Sequence, residues 1–140
     1  MNLIIREGRA EDVGPCALIY ERLFRTNHPR ASRERRGQRG FAESIAGEEL
    51  WVAEQEDGIA GLVTIWRPDA FIHHLYIDPS WQRRGIGRAL LGLALRRCGG
   101  HADLKCDEAN RAAHAFYREM GFWPSGWGWA PYGPWIRFRY

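Results

Sequence analysis

Two glycines, Gly85 and Gly87, stand one residue apart in IDPSWQRRGIGRALLGLAL, residues 77–95, where an apolar run begins. The run predicts a helix, although glycine at a helix start costs backbone entropy and lowers helix propensity. The first N–H groups of a helix lack backbone partners and carry partial positive charge, so a bound anion satisfies them. Glycine lets that anion approach closely, and nearby guanidinium groups would bind phosphate; these belong to Arg83, Arg84 and Arg88. The segment therefore predicts a pyrophosphate-binding site.

Two commoner phosphate-binding motifs do not fit this segment. A dinucleotide-binding fold would place a third glycine near position 90, where Leu90 stands. A P-loop would continue with lysine and serine or threonine, whereas Arg88 and Ala89 follow here. For the glycine pair taken alone, a tight strand-to-helix turn without a ligand is an equal alternative.

Asn110 and Tyr117 lie two helical turns apart in a second predicted helix, so they share one face of it. A helix cap at Asn110 and a core aromatic at Tyr117 explain both residues without any chemistry. A phenol, with an ordinary pKa of about 10, is also a suitable acid for a thiolate leaving group.

Two adjacent histidines, His73 and His74, lie in the predicted strand FIHHLYID. Because neighbouring strand residues point to opposite faces, we expect only His73 to share the face of Leu75 and Ile77. An imidazole, with an ordinary pKa of about 6.5, suits a general base near neutral pH. A hydrogen-bonded structural histidine is an equally good interpretation.

The composition limits the class of protein. A chain of 140 residues, of which 45% are hydrophobic, predicts one domain spanning residues 1–140. The net charge of +3 suits an anionic ligand, but no nucleic-acid motif is present and no apolar run reaches membrane-spanning length. Neither nucleic acid nor a membrane is therefore expected as a partner. The three cysteines form no C-x-x-C pair, which favours a reduced, cytoplasmic protein. No metal site is expected, because the spacing of the histidines does not repeat a metal-ligand pattern; these are His73, His74, His101 and His114.

The order of predicted elements is β-α-(α)-β-β-β-α-β-α-β-β, an α+β domain with a largely antiparallel sheet. Asp57-Gly58 predicts a hairpin turn, and residues 25–40 predict an arginine-rich, polar connector. We expect the central strand over 71–78, the glycine-led helix from about Gly85 to Cys98, a short strand over 102–106, the second helix over 110–120 and a last strand over 135–140.

Two segments carry a family resemblance. Q-R-R-G-I-G, after the strand ending L-Y-I-D-P, resembles the acetyl-CoA signature of the GNAT superfamily of N-acetyltransferases. N-R-A-A-H-A-F-Y-R-E-M-G-F, residues 110–122, is similar to the second cofactor segment of that family. The resemblance implies a single GNAT domain, with a mixed, mostly antiparallel twisted sheet, splayed central strands and flanking helices. It also implies direct acetyl transfer from acetyl-CoA to an amine.

The resemblance assigns roles to residues of both segments. The backbone of the central strand would meet the pantetheine arm and the thioester oxygen, through Leu75, Tyr76 and Ile77. Asn110 would touch the same arm, and Tyr117 would sit near the sulfur as general acid. The pyrophosphate would be held by Gln82, Arg83, Arg84, Gly85, Ile86, Gly87 and Arg88.

The acceptor side departs from part of the family pattern. Many relatives that acetylate protein N termini carry a glutamate five residues before the asparagine, and Lys105 stands there in this sequence. His73 is the alternative base, and a water relay is another. The C-terminal hairpin helps to wall the acceptor pocket in this family, although packing explains most of its rings: Trp123, Trp127, Trp129, Tyr132, Trp135, Phe138 and Tyr140.

These observations favour an N-acetyltransferase that acts on a primary amine of a small molecule. The alternatives are a protein N-terminal or lysine acetyltransferase, with a peptide amine as acceptor, and a regulatory module that binds acetyl-CoA without turnover. The resemblance also implies a homodimer.

Overall fold

A single seven-stranded sheet organises the computed structural model, which describes residues 2–27, 38–131 and 133–140. Its strands are β1 (Ile4–Glu7), β2 (Glu49–Gln55), β3 (Gly58–Trp66), β4 (Phe71–Ile77), β5 (Asp103–Asp107), β6 (Trp123–Ala130) and β7 (Gly133–Arg139). They lie in the order β1-β2-β3-β4-β5-β7-β6, and every pair is antiparallel except β4 with β5. The predicted α+β class, with a mixed and mostly antiparallel sheet, is confirmed.

Four helices of the described residues cover the sheet: α1 (Val13–Asn27), α2 (Gln38–Ser44), α3 (Ile86–Arg97) and α4 (Arg111–Glu119). The predicted connector over 25–40 is wrong at both ends, because α1 continues through Asn27 and α2 begins at Gln38. Residues 28–37 of that connector lie outside the described residues. In the part of the chain that is described, no helix is long and apolar enough to cross a membrane.

The strand side chains alternate between two apolar clusters, one on each face of the sheet. On one face Leu62 and Val52 pack with α1 and α2. On the other face Val63 and Ala53 pack with α3 and α4. The members of both clusters are almost fully buried, so the two helix pairs fix the sheet from both sides.

The central strands separate after a short parallel contact. β4 pairs with β5 only at Phe71 with Asp103 and at Ile72 with Leu104, whereas β5 pairs along its whole length with β7. The rest of β4 keeps its antiparallel neighbour β3 on one side alone. A gap therefore opens between β4 and β5, as the family resemblance implies.

A β-bulge interrupts the start of β4. Thr64 of β3 pairs with His74, but the next residue, Ile65, pairs with Ile72. His73 is thus the extra residue on β4, and the alternation of side chains is broken at this point.

Candidate active site

The loop before α3 has a backbone conformation that favours glycine at position 85. Gly85 is the N-cap of the helix with φ +83°, a left-handed conformation that favours glycine, and no side chain caps the helix there. A Cβ at Gly85 would meet no atom within 4 Å, and a Cβ at Gly87 would make only ordinary contacts, 3.5 Å from Phe116 and 3.7 Å from Ile77. Open space thus lies beside the unpaired N–H groups of the helix start, where a bound anion would fit.

Cationic side chains surround this helix start. Arg83, Arg84 and Arg88 are all exposed. The Arg84 guanidinium carbon lies 4.7 Å from the centre of the Trp81 ring, and Arg88 is 3.1 Å from Glu119. The charge of the region is therefore favourable for a pyrophosphate.

Gln82 and Ile86, which lie next to these arginines in the loop and helix start, do not present a charged side chain to a ligand. Gln82 donates a 3.2 Å hydrogen bond to the backbone oxygen of Ile77, which ties the loop to the end of β4. Ile86 is buried in the core, so only its backbone faces a ligand at the helix start.

The last three residues of β4 border the gap through their backbone. The side chains of Leu75 and Ile77 pack against the α3–α4 cluster, and the ring of Tyr76 lies 5.5 Å from the ring of Tyr20 on the other face. Alternate residues of an antiparallel strand direct their N–H and C=O groups to opposite edges. Some of these groups therefore face the gap, where a pantetheine arm could pair with them.

The contacts of Asn110 and Tyr117 are those that a helix cap and a core aromatic residue would make. Asn110 caps α4 by accepting a 3.2 Å hydrogen bond from the Ala113 amide. Tyr117 is only 9% exposed, and its ring lies 5.4 to 5.9 Å from the rings of Phe116, Phe122 and Phe138. Burial raises the pKa of the Tyr117 phenol above its ordinary value of 10, so the group keeps its proton at neutral pH.

The two histidines of β4 lie on the same side of the strand. Their ring centres are 3.9 Å apart and the rings stack at 24°. The prediction that His73 and His74 face opposite sides is wrong, because the bulge at His73 breaks the strand alternation. His73 consequently lies on the face of α1 and α2, away from Leu75 and Ile77.

His73 forms a close pair with a carboxylate. Its Nδ1 atom is 2.6 Å from Oε2 of Glu48, whose side chain is 9% exposed, whereas the His73 side chain is 37% exposed. An ionised carboxylate only accepts hydrogen bonds, so Nδ1 carries the proton of this contact and Nε2 of a neutral ring has a lone pair. The other oxygen of Glu48, Oε1, is buried and has no partner among the described residues.

Sequence reasoning missed Glu48. This residue lies in the segment between α2 and β2, 25 positions from His73, and no motif marks it. Only the sheet register and the bulge bring the two side chains together, and a single sequence carries no signal of either.

His74, unlike its neighbour, is part of the core. Its Nε2 atom is 3.3 Å from the Ser44 hydroxyl, and its ring packs against Tyr20 and Phe41. Burial lowers the pKa of His74 from 6.5 to about 3, so the ring is neutral at physiological pH. Its surroundings are those of a structural histidine.

Beyond the gap, the exposed Lys105 side chain lies among aromatic rings. Its Nζ atom is 4.4 Å from the centre of the Trp135 ring and 6.0 Å from that of Phe71. The Phe71 ring in turn lies 6.4 Å from that of His73. This open patch, formed by Phe71, Lys105 and Trp135, therefore adjoins the Glu48–His73 pair.

The hairpin rings divide into two groups. Phe138 is fully buried and Trp135 half-buried, but Trp123, Trp127 and Trp129 are 55%, 68% and 72% exposed, so burial in the core does not explain these three. Tyr132 lies outside the described residues. A cavity of about 490 Å³ beside the hairpin is lined by Glu108, Pro124, Gly126, Trp127 and Ile136.

Within residues 2–27, 38–131 and 133–140, no group of three or more His, Cys, Asp or Glu side chains is placed so that it could hold a metal ion. The three cysteines are free thiols, and burial raises the pKa of Cys16 and of Cys106 to about 12. These thiols are therefore protonated at neutral pH and poor nucleophiles.

The fold and the glycine-led helix beside a split in the sheet correspond to a known class of enzymes. Residues 16–122 match the acetyltransferase (GNAT) family, over more than half of the chain. The chain belongs to this family.

Individual relatives differ in their acceptors. The chain is 34% identical over 101 residues to mycothiol acetyltransferase of Beutenbergia cavernae, across 66% of this chain and 33% of that protein. It is 41% identical over 69 residues to the N-alpha-acetyltransferase RimI of Mycobacterium tuberculosis, across 46% of this chain and 44% of that one. The chain thus spans a third to under a half of the length of these relatives.

A solved structure of the same fold contains coenzyme A. It is the PaiA N-acetyltransferase of Thermoplasma acidophilum in complex with coenzyme A, with a TM-score of 0.78, 16% identity and full coverage of both chains. At this identity the likeness is one of fold.

Proposed function

We propose that this chain is an acetyl-CoA-dependent N-acetyltransferase that moves an acetyl group directly to a primary amine of a small molecule. The observation that carries the proposal is the gap between β4 and β5, which begins after Ile72 and extends to the end of β4 at Ile77, next to the open, glycine-led start of α3. Membership of an acetyltransferase family supports acetyl-CoA as the donor.

The residues around the gap suit the parts of acetyl-CoA. The N–H groups of Gly85, Ile86 and Gly87 would hold the pyrophosphate, with the three arginines around it. The backbone of β4 and the Asn110 side chain would bind the pantetheine arm. Bound there, acetyl-CoA supplies an activated acyl group with a thiol as leaving group.

His73 is the proposed base on the acceptor side. The Glu48 carboxylate holds Nδ1, and Nε2 can take a proton from the attacking amine, directly or through a water molecule. The exposed position of His73 allows that proton to pass to solvent. His74 supports the His73 ring by stacking and is not assigned a chemical role.

Tyr117 is the proposed acid. As the carbon–sulfur bond breaks, its hydroxyl would donate a hydrogen bond to the sulfur and supply a proton to it. The phenol pKa is ordinarily about 10, already above the value of about 8.5 for a thiol, and burial raises it further, so complete proton transfer to the sulfur is uphill. The contribution is therefore mainly a hydrogen bond that strengthens as negative charge develops on sulfur.

Thiol release from acetyl-CoA tests the proposal directly. The acceptor panel would contain polyamines, amino acids, aminoglycosides, aryl-alkyl amines and peptides with free N termini or lysines. Amine-dependent release with at least one small amine is expected. Release with peptides alone would indicate a protein acetyltransferase, and binding of acetyl-CoA without release for any amine would indicate the regulatory module.

A histidine comparison tests the base. We expect His73→Ala to lower turnover by about 10²-fold at neutral pH and to alter the acidic limb of the pH–rate profile. His101→Ala is the matched control, because His101 is exposed in the loop before β5. Equal, small effects of both substitutions would return His73 to a structural role.

The cytoplasmic location and the homodimer stay predictions. Light scattering of the purified chain at several concentrations would give the oligomeric state, with twice the monomer mass expected.

A further inference from the structure

The Lys105 ammonium has no anionic partner on the open patch. Its contacts are with the rings of Trp135 and Phe71, and no carboxylate of the described residues forms an ion pair with it. The neighbouring cations differ, because Arg137 and Arg139 both bind Asp103, at 2.8 Å each. Lys105 is therefore a cation available for an anionic ligand.

The far side of the same patch carries negative charge. His73 adjoins Phe71 and is paired with Glu48, which keeps one buried oxygen without a partner among the described residues. A carboxylate and an imidazole at one end favour an ammonium or amine. A lysine at the other end favours a carboxylate.

We propose that the acceptor is an amino acid, whose carboxylate binds Lys105 while its amine meets the exposed ring of His73, which Glu48 holds in place. The Phe71 ring neighbours both Lys105 and His73, and the Trp135 ring neighbours Lys105, so both rings would contact the carbon atoms of the acceptor. This inference rests on the proposed function and deepens it by naming the substrate class. Lys105 has the role of a specificity residue, and His73 and Tyr117 keep the chemistry.

The exposure of Lys105 sets the size of the effect. A charge-assisted hydrogen bond is strong when buried, but solvent weakens it at an exposed site. We expect the amino acid to exceed its carboxamide about tenfold in kcat/KM, and to do so mainly through KM, because the carboxylate binds equally in the ground and transition states.

Matched acceptors provide the test. For each amino acid in the panel, kcat/KM is compared with that of the corresponding amino-acid amide, which keeps the amine and side chain but lacks the negative charge. The comparison is made in the parent protein and in the variants Lys105→Gln and Lys105→Glu. We expect the preference for the acid to vanish in Lys105→Gln and to reverse in Lys105→Glu, with kcat for the amide unchanged.

Controls separate this inference from the proposed function. Arg96→Gln removes the same charge from an exposed position on α3 and should leave the preference intact. Thermal unfolding and acetyl-CoA affinity should be the same in Lys105→Gln and the parent. If no amine is acetylated, the proposed function fails. If amines are acetylated but acids and amides react equally in the parent, or if peptides react and amino acids do not, the amino-acid assignment is overturned while the acetyltransferase stands.

Discussion

Replacing Tyr117 with phenylalanine removes one oxygen from a ring that the protein holds on several sides. The ring is 9% exposed and lies among Phe116, Phe122 and Phe138. Phenylalanine keeps those contacts, and the hydroxyl has no hydrogen-bond partner among the described residues. We therefore expect the free energy of unfolding to change by less than about 1 kcal/mol.

The rate should change much more. A general acid contributes about 10² to 10⁴-fold, and the raised pKa of Tyr117 makes full proton transfer unfavourable, which favours the lower end of that range. A loss of about 10²-fold in acetyl transfer corresponds to roughly 2.7 kcal/mol in the barrier. Because the pKa is raised, deprotonation of Tyr117 should not reduce the activity of the parent protein on the alkaline side of neutrality.

Single-turnover acetyl transfer is the rate to measure, since product release can mask the chemical step in steady-state turnover. Tyr140→Phe makes the same chemical change at an exposed position and should leave the rate unchanged. Acetyl-CoA affinity, measured by calorimetry, should be similar in all three proteins. A Tyr117→Phe rate within a factor of three of the parent would refute the acid role and make Tyr117 a packing residue.

Three further predictions concern binding and stability. Gly87→Val should weaken acetyl-CoA binding at least tenfold, measured by calorimetry on a folded protein, and an unchanged affinity would contradict the pyrophosphate site. The control Gly92→Ala, in the middle of α3, should keep the affinity and raise the free energy of unfolding by about 0.5 to 1 kcal/mol. Because burial lowers the pKa of His74 to about 3, the unfolded state binds a proton below about pH 6.5 that the folded state does not bind. This group should therefore lower the free energy of unfolding by about 2 kcal/mol between pH 6.5 and 5. Denaturant titrations at these pH values should show that the decrease is absent in His74→Gln. Hydrogen bonds from Arg97 lower the pKa of Glu49 to about 2, so the ionised Glu49 stabilises the fold above about pH 4.5 and this stabilisation is lost as the pH falls towards 2. Glu49→Gln should lower the free energy of unfolding by about 1 to 2 kcal/mol at pH 7 and by almost nothing at pH 2. An equal decrease at both pH values would refute the ion pair.

The fold could be predicted from local signals in the sequence. Asp57-Gly58 marks the β2–β3 hairpin, and the apolar period after Gly85 gives α3 within a residue of its observed start. The positive φ of Gly85 gives a physical reason for glycine at that position. These features depend on neighbouring residues, so a single sequence contains them.

The acceptor side could not be predicted in the same way. The bulge at His73 depends on how β3 and β4 align, and it moves His73 to the opposite face from the one that strict alternation predicts. Its contact with Glu48 crosses 25 residues and follows from that register. Lys105 was visible as a departure from the family pattern, but its aromatic surroundings come from two other strands.

The most direct measurement follows the acetyl group itself. The purified chain would be mixed with excess amine and a substoichiometric amount of acetyl-CoA labelled in the acetyl carbon, and the quenched products would be separated by mass. We expect one equivalent of label in an amide of the amine for each equivalent of coenzyme A released, with no label on the protein, since transfer is direct. Label that stays on coenzyme A, or that appears only as acetate, would contradict the assignment of this chain as an N-acetyltransferase.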